Sequence, residues 1–314
     1  MSGARALGGS GLTTPPLVLG GNVFGWTADR AASFRVLDAF ADAGGTLVDT
    51  ADVYSAWVPG HVGGESESLI GEWLKASGKK MQVATKVGML PGEGGEKLAP
   101  ARIAAACDAS LKRLGVETID LYFAHQDDDG VPQEDALAAF GKLIDAGKVR
   151  ALGASNFSAE RLGSALAVAK QEGLPRYEVL QPEYNLVSRS KFEGALQDLC
   201  VVENIGVVPY YGLASGFLTG KYRSADDLGQ SVRGGRMSAL LEGKGAAVLA
   251  AMDAVTAETG ASLAQIALAW LAAQPGVTAP IASATGVAQV EELIGAWDVA
   301  LSAEQLARLT AAGA

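Results

Sequence analysis

The sequence predicts a parallel (β/α)8 barrel, a TIM barrel, on three observations. Eight short β-rich runs alternate with amphipathic helical stretches along 314 residues, the order that builds such a barrel. A serine cap and several glycines fall where this alternation needs helices to start and stop. Four polar residues able to hold or move protons, Asp49, Tyr54, Lys86 and His125, stand at or just past the ends of successive apolar runs, and barrel strands end on one shared rim. The chain exceeds the usual domain size, yet α/β barrels often reach this length, so residues 1–314 are expected to form a single barrel domain.

Arg5-Ala6-Leu7 and Leu12-Thr13-Thr14 flank the glycine-rich Gly8-Gly9-Ser10-Gly11, the pattern of a short N-terminal β-hairpin that would close the barrel floor. Strand candidates follow at 17–19, 46–49, 82–86, 121–125, 151–155, 179–181, 207–210 and 279–282. Between them, stretches 31–43, 65–75, 99–114, 133–146, 159–172, 191–203 and 262–273 place apolar residues three and four apart, as helices packed on a sheet require. Ser158 precedes Ala159-Glu160-Arg161 as an N-cap, while Ala43-Gly44-Gly45 and Ala146-Gly147 put glycine at helix ends. Two stretches break the regular alternation. Residues 88–95 are glycine-rich, and residues 212–245, rich in Gly, Ser and Arg, are too long for an ordinary connection. Long loops after strands cover the active face in this fold.

Composition narrows the function. Hydrophobic residues make up 49% and charged residues 19%, and no uninterrupted apolar stretch reaches the roughly 18 residues of a membrane span. The net charge is -10 and the pI about 4.8, without the basic face that nucleic acid or anionic lipid would need. No nucleic-acid or membrane partner is expected. Cys107 and Cys200 each sit in a helical pattern, and Met1-Ser2-Gly3-Ala4-Arg5 lacks the apolar core of a secretory signal. Two reduced thiols in a cytoplasmic protein are the expectation. With two histidines and no CxxC spacing, no metal site is expected; His61 lies in a loop sequence, and the consecutive acids Asp127, Asp128 and Asp129 point different ways and read as solvated.

An acid, a phenol, an ammonium and an imidazole on one rim make a site for proton transfer. A free tyrosine has a pKa near ~10, and an adjacent ammonium favours its phenolate, so Lys86, held by Asp49, is expected to lower the pKa of Tyr54. His125 can donate a hydrogen bond to a carbonyl oxygen as charge develops on it. Taken singly, each residue has an ordinary reading as a turn cap, rim packing, a solvated lysine or a core histidine; their joint placement points to carbonyl reduction. Trp26 and Trp57, in loops after the first and second strands, are either walls of an apolar substrate pocket or simple packing.

Asp49-Thr50-Ala51-Asp52-Val53-Tyr54, Ala84-Thr85-Lys86 and Leu121-Tyr122-Phe123-Ala124-His125 resemble the catalytic tetrad motifs of the aldo-keto reductases. Gly153-Ala154-Ser155-Asn156-Phe157, Gln181-Pro182-Glu183-Tyr184-Asn185 and the run from Tyr210 to Tyr222 resemble that family's cofactor contacts in order and spacing, nearest to bacterial members related to potassium-channel β subunits. The resemblance implies an NAD(P)(H)-dependent reductase of small-molecule aldehydes or ketones, or in reverse an alcohol dehydrogenase. Tyr54 would be the general acid, Lys86 and Asp49 would tune it, and His125 would orient the carbonyl. Ser155, Asn156 and Gln181 would hold the carboxamide, Tyr210 would stack on the nicotinamide, and Gly212, Leu213, Ser215, Phe217 and Lys221 would line the diphosphate.

The resemblance places the adenosine end along residues 281–293, with Ser283, Thr285, Gln289 and Glu292 among the contacts. Relatives that prefer the phosphorylated cofactor carry Lys or Arg there and an Asn where Leu293 stands; this segment has no cation. Hydroxyls of Ser283 and Thr285, the amide of Gln289 and a helix opening near Val287 are the groups left for a 2'-phosphate. On family habit NADP(H) is expected over NAD(H). The alternative, which the channel β subunits suggest, is a cofactor-binding regulatory protein with little turnover. A metal-dependent isomerase on the same fold is a distant third, since its acidic and histidine ligands are missing. Substrate, reaction direction and oligomeric state are not readable from the chain.

Overall fold

The computed structural model describes residues 3–230 and 234–314; the first two residues, and 231–233 inside the long 212–245 stretch, lie outside it. Strands β1 (Arg5–Ala6) and β2 (Thr13–Thr14) pair antiparallel as the expected hairpin. Eight parallel strands follow: β3 (Val18–Gly20), β4 (Leu47–Asp49), β5 (Gln82–Val87), β6 (Ile119–Ala124), β7 (Val149–Ser155), β8 (Tyr177–Gln181), β9 (Gly206–Val207) and β10 (Ile281–Ala282). Their order, β10-β3-β4-β5-β6-β7-β8-β9, has each strand beside its neighbour in sequence and brings the last beside the first. The sheet closes where the Thr278 N–H donates to the Val207 carbonyl at 2.8 Å and the Ile281 N–H to that of Pro209 at 2.9 Å. The fold is a (β/α)8 barrel.

Helices α1 (Arg30–Asp42), α2 (Glu65–Ser77), α3 (Pro100–Leu114), α4 (Gln133–Asp145), α5 (Ala159–Glu172) and α6 (Ala195–Val202) link the strands through β9. The Ser158 hydroxyl accepts from the Arg161 N–H at 3.1 Å, capping α5 as its position suggests. Helix α6 starts four residues later than its periodicity predicts, because Gly194 turns the chain at φ +88° just before it. Beyond β9 come α7 (Ser238–Glu242), α8 (Gly245–Thr259), α9 (Leu263–Ala272), α10 (Val287–Ile294) and α11 (Ala303–Ala312). Helix α8 is alanine-rich on its polar and apolar sides alike, so its sequence has little periodicity; burial of Val248, Leu249, Met252 and Val255 is what seats it. No helix among the described residues is long and apolar enough to cross a membrane.

Two apolar layers form, one between sheet and helices and one inside the barrel. The inner layer takes Val18, Leu47, Ala84, Leu121, Phe123, Ala151 and Val179 from successive strands, with Leu7 and Leu12 of the hairpin plugging its floor. Close approach makes this possible: a Cβ on Gly153 would lie 2.3 Å from the Phe123 ring, so the phenyl occupies the space that glycine leaves. Strand side chains alternate between faces, so on four strands stepping two residues from an inner apolar position leads to a polar one at the rim. Leu47 leads to Asp49, Ala84 to Lys86, Phe123 to His125 and Val179 to Gln181.

Candidate active site

The barrel brings together the four residues expected to form a proton-transfer site. Asp49 ends β4, Lys86 lies in β5, His125 directly follows β6, and Tyr54 arrives on the loop after β4. Lys86 is wholly buried and spends its three N–H bonds within the group: on Asp49 Oδ2 at 2.7 Å, the Thr50 carbonyl at 2.7 Å and the Tyr54 hydroxyl at 3.0 Å. The Tyr54 hydroxyl in turn donates to Asp49 Oδ2 over a longer 3.3 Å. Gln181 donates to the other oxygen, Oδ1, at 2.8 Å. Every oxygen and proton of the carboxylate–ammonium pair therefore has a fixed partner, which sets the position of the phenol oxygen.

The electrostatics differ from the sequence expectation. Burial, and after it the Asp49 carboxylate, push the Tyr54 phenol well above its ordinary range. The Lys86 ammonium, 3.0 Å from the phenol oxygen, does not reverse this, because Asp49 at 2.7 Å from that ammonium offsets its charge and burial outweighs what remains. Burial also lowers Lys86 itself, against the pull of Asp49. His125 is pushed well below the usual imidazole range by burial and by the nearby Lys86 ammonium, so the ring is neutral. Its Nδ1 is buried without a partner, which leaves Nε2 as the ring nitrogen open to the cavity. The Tyr54 and His125 rings meet edge-on with centroids 6.0 Å apart.

A cavity of about 570 Å³ opens above this group, with Asp49, Tyr54 and His125 in its wall and Lys86 behind them. Its lining runs on through Ser155, Asn156, Gln181 and Tyr210 to Gly212, Leu213, Ser215 and Lys221, then to Ser283, Thr285, Gln289 and Glu292. Tyr210 donates its hydroxyl proton to Asn156 Oδ1 at 2.8 Å, and Asn156 donates to the His125 carbonyl at 2.9 Å, tying the wall to the tetrad. Asn156 takes φ +58° to do so, a backbone conformation asparagine tolerates better than most residues. Along 211–216 the chain turns through positive φ at Tyr211, Ala214, Ser215 and Gly216. No described residue accepts from the amides of Gly212 and Leu213, and Lys221 lies over Gly216, its Nζ 2.8 Å from where a Cβ on that glycine would sit. Two unpartnered amides beside one ammonium fit a diphosphate.

Some expected contacts lie elsewhere. Phe217 is fully buried against Gly245 and is not part of the cavity lining. Trp57 lines the cavity, whereas Trp26 does not and stacks edge-on against Trp57 at 5.5 Å, because only one side of a paired indole can face the opening. At the far end the Ser283 hydroxyl donates to Asn22 Oδ1 at 2.5 Å, and Gln289 Oε1 accepts from the amide of Thr285 at 2.7 Å and its hydroxyl at 3.1 Å. Both hydroxyls are thus spent within the protein, and Glu292 adds a carboxylate. Asn22, Val23 and Met89 also line the cavity and escaped the sequence reading, their one signal being position just after a strand run; Tyr211, inside the run matched to cofactor contacts but given no role of its own, lines it too. The three consecutive acids do diverge, but they are not all solvated as expected: Asp128 is buried at 6% exposure, because the loop folds its carboxylate onto backbone amides. Asp127 pairs with Arg161 at 2.6 Å, Asp128 accepts from the amides of Leu98 and Gly130, and Asp129 is 92% exposed. Among the described residues no group of three or more His, Cys, Asp or Glu side chains is placed to hold a metal ion.

Comparison with known proteins identifies the family. The family model described as the aldo/keto reductase family matches residues 16–314. A rice (Oryza sativa subsp. japonica) protein named probable voltage-gated potassium channel subunit beta is 33% identical over 312 residues, covering 94% of this chain and 91% of the relative. The L-glyceraldehyde 3-phosphate reductase of Escherichia coli O157:H7 is 31% identical over 316 residues, covering 97% and 90%. The Schizosaccharomyces pombe aldo-keto reductase yakc [NADP(+)] is 33% identical over 286 residues, covering 88% and 80%. The chain belongs to the aldo/keto reductase family.

Proposed function

We propose that this aldo/keto reductase folds as one barrel domain and reduces aldehyde or ketone carbonyls to alcohols, with the reverse oxidation open to the same groups. A bound nicotinamide dinucleotide supplies the hydride. Tyr54 supplies the proton. The observation that carries this reading is the Tyr54 hydroxyl held at 3.0 Å from the Lys86 ammonium in the wall of a cavity that His125, edge-on to the Tyr54 ring, also lines.

The chain's own groups account for the proton. A phenol raised well above its ordinary range keeps its proton at neutral pH, as a general acid must. Its donation to Asp49 is long at 3.3 Å, so a carbonyl oxygen in the cavity can replace the carboxylate as acceptor. When the proton leaves, the N–H of Lys86 already points at the phenol oxygen and stabilises the phenolate. Neutral His125, in the tautomer that carries its proton on Nε2, would donate to the same substrate oxygen. Ser155, Asn156, Gln181 and Tyr210 would hold the nicotinamide, and Gly212, Leu213, Ser215 and Lys221 the diphosphate.

Family habit and the NADP(+) in one relative's name support NADP(H) over NAD(H) as the partner. The segment 281–293, which carries Ser283, Thr285, Gln289 and Glu292, has no Lys or Arg, which supports a small margin between them. Buried, unpaired Cys107 and Cys200 support residence in a reducing compartment such as the cytoplasm.

The test is cofactor oxidation in the presence of aldehydes and ketones by wild type and Tyr54→Phe. Wild-type turnover with a loss of about 10²–10⁴-fold in the variant is expected, and turnover that survives the substitution overturns the mechanism. Likeness to the rice channel-subunit protein supports a second reading, in which the dinucleotide is a sensed ligand. Tight cofactor binding without turnover on any carbonyl would select it.

A further inference from the structure

We infer that Arg102 and Asp52 are positioning residues for substrate: their buried pair clasps the glycine-rich 88–95 loop to the segment that carries Asp49 and Tyr54, and so sets the Met89 side of the cavity. The consequence for substrate rests on the carbonyl-reducing reading above. The loop has little apolar burial of its own to hold it. From 89 to 97 every residue is exposed except Leu90, which is half-buried, so polar partners must fix this backbone. Arg102, on α3, supplies them. Its Nε donates to the Leu90 carbonyl at 3.1 Å, Nη1 to the Glu93 carbonyl at 3.4 Å and Nη2 to Asp52 Oδ2 at 3.1 Å. Gly92 rests on the guanidinium, since a Cβ there would lie 2.6 Å from Nη1. The tip is closed by Gly92 and Gly95, which exchange amide-to-carbonyl bonds at 2.9 and 3.0 Å. A planar fork with donors in fixed directions can bind two carbonyls and a carboxylate at once, which an ammonium on a flexible stem cannot.

The carboxylate anchors the clasp to the tetrad. Asp52 lies between Asp49 and Tyr54 in the chain, and its own amide donates to the Lys86 carbonyl at 3.3 Å. The Arg102 and Asp52 side chains are 8% and 1% exposed, so water competes little for the bond between them. The base of the loop is held separately. The His125 amide donates to the Val87 carbonyl and Gln126 Nε2 to the Gly88 carbonyl, each at 2.8 Å. Met89, which lines the cavity, therefore sits between a Gly88 bond on one side and the Leu90 bond to Arg102 on the other. Loss of the clasp frees one side of Met89 and leaves the bonds among Asp49, Tyr54 and Lys86 in place, so substrate binding weakens while the proton step persists. Arg113, on the same helix, makes a second partly buried pair, with Glu67 at 2.6 Å, and its other bond runs to Ser110 within α3. That pair is the natural control for a role in folding alone.

The test uses the intact chain and three variants. Arg102→Lys keeps a cation for Asp52 but loses the fork, Asp52→Asn/Arg102→Met removes both charges so that no lone acid is left buried, and Arg113→Met is the control. Hydrogen exchange read by mass spectrometry follows residues 88–95, kinetics give KM and kcat for benzaldehyde and propanal, and tryptophan fluorescence gives NADPH affinity. Both Arg102 variants should exchange the loop amides about tenfold faster or more and raise KM about tenfold, with kcat and NADPH affinity within about threefold of wild type. Arg113→Met should lower the urea midpoint and leave loop exchange and KM near wild type. Loop exchange unchanged in the double variant overturns the inference, as does a fall in kcat at constant KM, or a rise in KM as large in Arg113→Met. Faster loop exchange in a chain that turns over neither aldehyde sustains the clasp and counts against the carbonyl-reducing reading instead.

Discussion

Lys86 Nζ and Asp49 Oδ2 stand 2.7 Å apart with their side chains 0% and 3% exposed, and each is also bonded to a third group of the site. A buried pair of this kind is worth little against apolar residues of the same shape, but removing one partner strands a charge where water cannot reach it. Asp49→Asn should therefore cost about 3–5 kcal/mol in urea unfolding, far more than an exposed carboxylate would. A loss below about 1 kcal/mol would mean that water enters and that the pair is not dry in solution.

The two shifted groups at the cavity wall set opposite pH dependences for the two directions. Tyr54, raised well above its ordinary range, stays protonated across neutral pH, and His125, pushed well below its own, stays neutral, so neither should put a step in the reductive rate between about pH 6 and 9. Alcohol oxidation needs the Tyr54 phenolate as base. Below a raised pKa the phenolate fraction grows tenfold per pH unit, so the oxidative rate should climb through the same range. The measurement is kcat/KM against pH in both directions; a reductive rate that falls from pH 7 to 9 in parallel with Tyr54 ionisation would contradict the raised phenol.

Asp52 lies 1% exposed behind the tetrad, with Oδ1 unpartnered and Oδ2 on Arg102 at 3.1 Å. Burial first, and the Glu67 carboxylate second, raise its carboxyl to about 7, against the pull of Arg102 and Arg113. Between its unfolded value near 3.8 and about 7 the folded state holds a proton that the unfolded chain has released, so stability falls as pH rises through that window. The full shift from 3.8 to about 7 corresponds to roughly 4–5 kcal/mol at ~1.4 kcal/mol per pH unit. Asp52→Asn should flatten this part of the pH dependence between pH 5 and 8 in chemical unfolding. Any step near pH 7 in the reductive rate should disappear in the same variant; an unchanged profile would mean that Asp52 is already ionised at pH 5.

At the far end of the cavity, which the proposed reading gives to the adenosine of the cofactor, Glu292 contributes a carboxylate to the lining, and the Ser283 and Thr285 hydroxyls donate within the protein. Wild type should bind NADPH and NADH within about tenfold of each other in a tryptophan-fluorescence titration. Glu292→Lys removes a repulsion and adds a partly exposed cation, and should raise the NADPH-to-NADH affinity ratio about fivefold or more, the size of one ion pair of ~1 kcal/mol. Equal gains for both cofactors would place the new lysine away from the phosphate.

Much of the fold is legible in the chain because a barrel strand has a short and regular code. Leu47 and Asp49, or Phe123 and His125, lie two residues apart, so the residue that packs the interior and the residue that faces the cavity are read from the same alternation. The Ser158 cap is equally local, since donor and acceptor are three residues apart. Helix α8 is less legible because its alanine-rich stretch has no polar face to report where water lies, and α6 because one glycine angle moved its start.

The sequence by itself determined the closed parallel barrel, its hairpin floor and the convergence of Asp49, Tyr54, Lys86 and His125 on one rim, because periodicity and strand-end placement are properties of neighbouring residues. Only the tertiary structure decided how those groups are charged and which of their neighbours face the cavity. The Tyr54 pKa depends on burial and on which oxygen of Asp49 holds Lys86; the turn of Phe217 into the core and of Trp26 behind Trp57, and the commitment of Ser283 to Asn22, depend on contacts between segments far apart in the chain. Desolvation and pairing are summed over everything that packs around a group, and that sum exists only once the barrel has closed.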